Sequence, residues 1–356
     1  GLVRSQNSLF REFSTDSERT RILLVQDRNG RNIRVMRGFI PLLVLALGAT
    51  AAPSSADSGV PQDPPVVPAT GATTPATASE LLGFANTEQR MTVPVSIGPS
   101  GPYSFIIDTG SERTVVSREL ADVLKLSTGR RVRVTTMAGQ SELGTYKLSD
   151  LRVNMIAPDT IEAPAVEATN LGAPGMLGID ALKGHAVSID FDKNVMEVRA
   201  SKKRGLMGSP DDIVIRAKNL YGQLIVTDAR YHGKRISVVI DTGSPVTVGN
   251  LALLRRVKTE KSLGTVSLQA VTGQYLQADY RVIDSLDIAG VGFHQLPIAF
   301  ADAVPFKRFG LTDTPALMLG MDSLRLFRRV QIDFANREIR LTLPRNVMAS
   351  SARMRP

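Results

Sequence analysis

One tetrapeptide occurs twice in this chain, as Asp108-Thr109-Gly110-Ser111 and as Asp241-Thr242-Gly243-Ser244. Each copy follows an apolar run, Phe105-Ile106-Ile107 in the first and Val238-Val239-Ile240 in the second, and the copies lie 133 residues apart. A lone Asp-Thr-Gly carries little weight: at roughly 6% usage per residue type, a given tripeptide arises by accident about 0.1 times in a chain of this length. One copy reads as an Asx-turn after a strand. Two copies, both extended to Ser and both fed by apolar strands, constrain the fold far more. They call for two similar halves, each ending a buried strand on an acidic turn.

The surroundings of the tetrapeptide repeat as well. Gly175-Met176-Leu177-Gly178-Ile179-Asp180-Ala181-Leu182 matches Leu317-Met318-Leu319-Gly320-Met321-Asp322-Ser323-Leu324. Val187-Ser188-Ile189-Asp190-Phe191 matches Val330-Gln331-Ile332-Asp333-Phe334, and Thr136-Met137-Ala138-Gly139-Gln140 parallels Ala270-Val271-Thr272-Gly273-Gln274. The order is kept, with one short insertion in the second copy. This is a duplicated domain, with too few copies for a solenoid and enough length for two globular lobes.

With these motifs in hand, the chain resembles the retropepsin-like aspartic proteases in a single-chain, two-lobed form. The homodimeric retroviral proteases and the larger bilobal pepsins are related folds. The resemblance covers residues 84–344 and rests on an apolar-apolar-Asp-Thr-Gly-Ser loop, followed by an apolar-apolar-Gly segment, in each half.

It implies a catalytic pair, Asp108 and Asp241, one from each lobe. Two carboxylates held close repel, so one ionises and acts as base while the other keeps its proton and acts as acid. The pair titrates as a unit, so neither role belongs to one residue. Gly110 and Gly243 let the backbone turn sharply beside the carboxylates. The resemblance further implies that Thr109 and Thr242 interlock across the lobe boundary. Ser111 and Ser244 are expected to hydrogen-bond the outer carboxylate oxygens. Residues 135–146 and 269–280 stand where the family has flaps, with Gly139 and Gly273 as tips that close over an extended peptide. Asp180 and Asp322 read as helix N-caps, and Asp190 and Asp333 as structural residues in repeated strands. Gly178 and Gly320 belong to segments that pack near the acidic loop in the family.

Local patterning favours an all-β fold. Met91–Ile97 alternates with period two, Gly98–Gly101 turns, and Tyr103–Ile107 returns. Leu224–Tyr231, a turn at His232–Lys234, and Ile236–Ile240 repeat the hairpin. Ser117 is a candidate N-cap for a short helix over 117–124, and 251–257 is its weaker counterpart. Many short strands with little helix predict two small β-barrel-like lobes with a cleft between them. The lobes occupy 84–200 and 211–344, joined by a basic stretch at 201–210.

Composition narrows the function further. The formal net charge of the 356 residues is +9, but residues 1–56 supply +4 and residues 345–356 supply +3, leaving +2 for the rest. No basic stripe interleaved with aromatics is present, which argues against nucleic-acid binding. Without cysteine there are no disulfides and no thiolate catalysis. His185, His232 and His294 are isolated, which gives no metal-ligand spacing and no Ser-His-Asp triad. No cofactor is implied. The partner is a peptide or protein substrate, and one chain holding both acidic turns predicts a monomer.

Residues 36–56 have the order of a secretory signal: Met36-Arg37, an apolar run from Phe39 to Leu47, then small residues. The run is short for a membrane span of about 20 residues. Residues 1–35, polar and Arg-rich, read as an extension upstream of Met36, and residues 57–83 as a Pro/Ala/Thr linker. Residues 345–356 read as a basic tail. The expectation is therefore an exported, periplasmic or secreted aspartic endopeptidase. Two alternatives stand beside it. One is a processing protease anchored in a membrane through residues 38–52; the other is a peptide-binding module without catalysis.

Overall fold

The computed structural model describes residues 91–344, apart from 154–155, 203–211, 221 and 258–259, together with two strands nearer the N-terminus, Ile22–Gln26 and Asn32–Met36. The expected signal, the 57–83 linker, most of the inter-lobe stretch and the basic tail lie outside the described residues. The two N-terminal strands fall in the segment read as an extension, and Ile22–Gln26 pairs antiparallel with Val291–Phe300.

The first lobe is one eight-stranded sheet. Its opening hairpin, Thr92–Ile97 and Ser100–Ile107, buries alternate residues: Val93, Val95 and Ile97 face inward while Thr92 and Pro94 face out. Gly98 turns the chain with φ of 56°, in the left-handed region glycine tolerates best. The helix over Arg118–Val123 starts where expected, because the Ser117 hydroxyl accepts the Leu120 N–H at 3.1 Å. Asn250 does the same for the helix Leu251–Leu254, accepting from Leu253 N–H at 2.8 Å.

The second lobe repeats this plan in a ten-stranded sheet that includes the N-terminal pair. Its strand Tyr275–Ile288 pairs on one side with Gln223–Tyr231 and on the other with Val291–Phe300, which closes the sheet into a barrel. In the first lobe the equivalent run is broken into Gly139–Leu148 and Leu151–Val153. Asp150 between them has a φ of 53°. Gly139–Leu148 pairs with Thr128–Thr136 and Ile161–Val166, while Leu151–Val153 pairs with Thr92–Ile97, so no one strand joins the two ends and the first lobe stays more open.

A third sheet belongs to both lobes. Its order is Val195–Ala200, His185–Asp190, Arg329–Asp333, Glu338–Thr342, Asp212–Arg216. The central pairing joins Val187 to Ile332 and Ile189 to Val330. All four are fully buried, and they merge the cores of the lobes into one apolar cluster. Asp190 and Asp333 sit at opposite ends of this seam. Asp190 accepts from Arg329 at 3.0 Å. The fully buried Asp333 accepts from the Ser201 hydroxyl and from both the N–H and side-chain amide of Asn336.

Candidate active site

Each acidic turn is placed by a strand threaded between two others. Gly175–Leu177 runs parallel to Phe105–Ile107 on one side and antiparallel to Val115–Val116 on the other. Its last carbonyl, that of Leu177, accepts the Asp108 N–H at 2.9 Å. In the second lobe Ala316–Leu319 runs beside Ser237–Ile240 and Val248–Gly249, and Leu319 O accepts Asp241 N–H at 3.1 Å. The glycine that ends each threaded strand touches backbone: a Cβ on Gly178 would lie 2.3 Å from the Arg113 carbonyl carbon, and one on Gly320 would lie 2.4 Å from Val246 O. No side chain fits at either position.

The next acidic residues differ from expectation. The N-caps of the helices Ile179–Leu182 and Met321–Leu324 are Gly178 and Gly320, and Asp180 and Asp322 lie inside the first turn. Their carboxylates instead clamp the acidic loop from behind. Asp180 Oδ1 accepts both the N–H and the hydroxyl of Thr114, at 2.8 and 2.6 Å, and Thr114 Oγ1 accepts Gly178 N–H. Thr247, Asp322 and Gly320 repeat the clamp in the second lobe.

The two acidic loops meet at the lobe boundary. Thr109 N–H donates to Thr242 Oγ1 and Thr242 N–H donates to Thr109 Oγ1, both at 3.1 Å. The hydroxyls donate onward, Thr109 to Ile240 O at 2.8 Å and Thr242 to Ile107 O at 2.7 Å. All four bonds are buried. Above this lattice each carboxyl sits over the other loop's glycine. A Cβ on Gly110 would lie 2.8 Å from Asp241 Cγ, and one on Gly243 would lie 2.1 Å from Asp108 Cγ. Each carboxylate is also held by its own loop: Asp108 Oδ1 accepts Gly110 N–H at 2.8 Å, and Asp241 Oδ1 accepts Gly243 and Ser244 N–H at 3.0 and 3.1 Å. Backbone donors of this kind favour the ionised form of a carboxyl.

Ser111 and Ser244 depart from the expected role. Their hydroxyls donate to main-chain carbonyls two residues on, Arg113 O at 2.9 Å and Val246 O at 2.6 Å. A hydroxyl has one proton to give, so these side chains stabilise the turn, and the contact from Ser244 to Asp241 runs through its backbone N–H. A residue not anticipated is Gln223. It is 1% exposed and donates from the second lobe to Gly110 O at 3.1 Å. Its Oε1 is buried with no hydrogen-bond partner among the described residues. Its place just before the apolar run Leu224-Ile225-Val226 disguises it as an ordinary strand residue. A second unanticipated link is the two-pronged ion pair of Glu112, just after the first acidic loop, with Arg308 of the second lobe.

The expected flaps are hairpins whose turns line the same cleft as the two carboxyls. In the first, Thr136 pairs with Gly139, and Met137-Ala138 make the turn. Gly139 therefore opens the returning strand and is not the tip. A two-residue turn leaves no position for it there. In the second, Gly273 does lie in the turn, with φ of 81° and its N–H bonded to Ala270 O at 2.9 Å. The flaps approach each other: a Cβ on Gly139 would lie 3.3 Å from Gln274 Oε1. Each is also tied to the opposite lobe, the first through Val304 N–H to Met137 O at 3.2 Å, the second through Gln269 Nε2 to Asn170 Oδ1 at 3.1 Å. The cleft beneath is lined by Asp108, Asp241, both flaps and apolar side chains of both lobes, and encloses about 160 Å³.

Comparison with known families matches both lobes. Residues 93–184 match the gag-polyprotein putative aspartyl protease family, and residues 227–323 match an aspartyl protease family. No curated protein matches the chain. Each match opens in the hairpin that leads to an Asp-Thr-Gly-Ser loop and closes at the helix after the threaded strand. Among the described residues no helix is long and apolar enough to cross a membrane. The protein is an aspartic-type endopeptidase acting on peptide substrate, and it belongs to the retropepsin-like aspartyl proteases in their single-chain, two-lobed form.

Proposed function

We propose that Asp108 and Asp241 form a water-activating dyad, and that the protein is an exported endopeptidase. The observation that carries the dyad is the crossed seating of the two carboxyls, each over the other loop's glycine. Two carboxyls so close share a proton at working pH. The ionised member takes a proton from water as its oxygen attacks the peptide carbonyl carbon. The protonated member supplies the proton that the leaving nitrogen needs when the C–N bond breaks. The Thr109–Thr242 lattice holds the two groups in register, and such fixed positioning lowers the barrier. A bell-shaped dependence of rate on pH follows, because activity requires one proton on the pair and fails with none or two. Both loops lie in one chain, so the monomer is the active unit.

The full chain is incubated with a mixed peptide library from about pH 3 to about pH 8, beside Asp108→Asn and Asp241→Asn. Cleavage by the parent and its loss in both folded variants supports the dyad. Cleavage that survives either substitution refutes it. A folded parent that binds peptides without cutting them supports the binding-module alternative.

Export rests on the signal-like order of residues 36–56. Expression of the full chain in a bacterial host, followed by N-terminal sequencing of the mature protein, tests it. A new N-terminus after the apolar run, in a form released without detergent, supports export. Retention in the membrane fraction with residues 38–52 intact supports the anchored form.

A further inference from the structure

The duplication supplies an internal reference for surface positions. The offset of 133 residues that relates Thr109 to Thr242 also relates the helix caps Ser117 and Asn250 and the strand starts Thr128 and Lys261. At that offset the exposed cations Lys234, Arg235, Arg255, Arg256 and Lys261 stand where the first lobe has Gly101, Pro102, Asp122, Val123 and Thr128. The first lobe builds the same hairpin, helix and strand with no cation at any of these positions, so the fold does not demand them.

The second lobe gathers them at one end. Lys234 and Arg235 open the strand Lys234–Ile240, Arg255 and Arg256 follow the helix Leu251–Leu254, and Lys261 opens the strand Lys261–Gln269. Arg256 donates to Arg235 O at 3.0 Å, which ties the helix end to the hairpin. Tyr231 of the same hairpin donates to Glu260, the neighbour of Lys261, at 2.7 Å. None of the five cations has a carboxylate partner among the described residues. The Glu260 side chain is 8% exposed and is occupied by Tyr231, and Asp284, whose charge also reaches Tyr231, accepts from Gln295.

Two further observations bear on what such a surface meets. Leu251 is 39% exposed and lies four residues before Arg255, on the same helical face. Tyr231, the aromatic ring nearest the cations in sequence, is buried, so it offers no platform for a nucleic-acid base to stack on. Cations around an exposed apolar side chain suit the surface of an anionic bilayer, where the charges meet headgroup phosphates and the apolar group enters the boundary beneath.

We propose that this end of the second lobe is a docking surface for a bilayer carrying anionic lipid headgroups. The inference goes beyond the dyad and export readings and depends on neither. The strand Lys234–Ile240 leads from the cations to Asp241, and at about 3.3 Å per residue roughly 20 Å separates the two. Docking therefore leaves the cleft open to peptide.

The full-length parent is mixed with vesicles of phosphatidylcholine alone and of phosphatidylcholine with phosphatidylglycerol. Flotation reads the ratio of protein bound, anionic over neutral, and any apolar contribution common to both cancels. Two variants lose equal charge: Lys234→Gln with Arg255→Gln in the patch, and Arg152→Gln with Lys193→Gln, two exposed cations of the first lobe. Arg256 is kept because it braces Arg235 O. The ratio is expected to exceed one in the parent and in the first-lobe variant, and to fall by about 25-fold in the patch variant, at about fivefold per cation. Cleavage of a soluble peptide is expected to be the same in all three. A parent ratio of one, or an equal fall in both variants, would overturn the proposal. So would a patch variant that loses binding to an acidic polypeptide or a nucleic acid while its vesicle ratio holds. If the patch variant does not fold, the parent at about 1 M salt decides, where the screening length is about 3 Å: a ratio that drops to one supports the docking surface, and one that persists refutes it. A folded parent that cuts no peptide refutes the dyad and leaves the vesicle ratio as the test of the surface.

Discussion

Thr109 and Thr242 are joined by reciprocal hydrogen bonds of equal length, each backbone N–H donating to the other's hydroxyl at 3.1 Å. Both residues are 2% exposed, so none of these groups can turn to water for a partner. The lattice belongs to neither lobe, and it joins the two loops that carry Asp108 and Asp241.

Thr109→Val keeps shape and removes the hydroxyl. Thr242 N–H then loses its acceptor and Ile240 O loses a donor. Leaving a buried polar group unpaired costs about 1–3 kcal/mol, so a loss of about 2–6 kcal/mol is expected from the two groups, with Thr242→Val matching it. Denaturant unfolding of both variants and of the double variant measures this. Each hydroxyl makes its own two bonds, so the double variant is expected to lose about the sum, and any departure from it measures coupling through the joined loops.

The glycines under the carboxyls predict a graded response. Gly243→Ala puts a methyl at 2.1 Å from Asp108 Cγ, and Gly110→Ala puts one at 2.8 Å from Asp241 Cγ. Both displace a carboxyl by a substantial fraction of an ångström, a scale at which rates fall by about 100-fold. Steady-state kinetics is expected to show a drop in kcat in both, with Gly243→Ala the worse. Equal activity in the two would contradict the crossed seating.

Gln223 offers a case where stability and activity part. Gln223→Leu removes a brace on Gly110 O and also removes the buried oxygen that has no partner among the described residues. Stability is expected to hold or rise, by up to about 1–3 kcal/mol for the unpaired group. The rate is expected to fall by roughly tenfold, as the loop that positions Asp108 loosens. Thermal unfolding and kcat, measured on the same preparation, separate these effects. A fall in both together would mean that the amide matters mainly to the fold.

Tyr231 gives the fold an alkaline limit. Burial pushes its hydroxyl well above the usual value of 10.0, and the Glu260 carboxylate, which accepts its proton at 2.7 Å, pushes it further. The folded state therefore holds this proton more tightly than the unfolded chain does. The resulting stability is complete below pH 10.0 and drains away as pH rises beyond it. Unfolding measured across alkaline pH is expected to show this loss in the parent and its absence in Tyr231→Phe. An identical alkaline slope in the two would refute it.

How much of this could be read in advance varied with the range of the cause. The hairpins before each Asp and the Ser117 cap follow from alternation and from a side chain three residues from its target, and such local causes are visible in sequence. The threaded strands were visible only as repeated apolar-apolar-Gly segments, since duplication marks an element without saying what it pairs with. The five-stranded sheet uniting the lobes was not legible, because Val187 meets Ile332 through a register that no local pattern records. The Asp180 N-cap reading failed on a helix of four residues, too short for periodicity to place its start. The Gly139 tip failed by one position of turn length.

Met137 of the first flap packs on second-lobe residues and Val271 of the second flap on first-lobe residues, which bears on how a substrate meets the cleft. A peptide has a direction, from amino to carboxyl end. A site built from two identical subunits looks the same from either end, and a peptide can enter it both ways round. Here the equivalent flap positions are encoded separately, and a mutation changes one without touching the other. Methionine in one flap and valine in the other make the two ends of the cleft chemically different, a difference that two identical subunits could not hold.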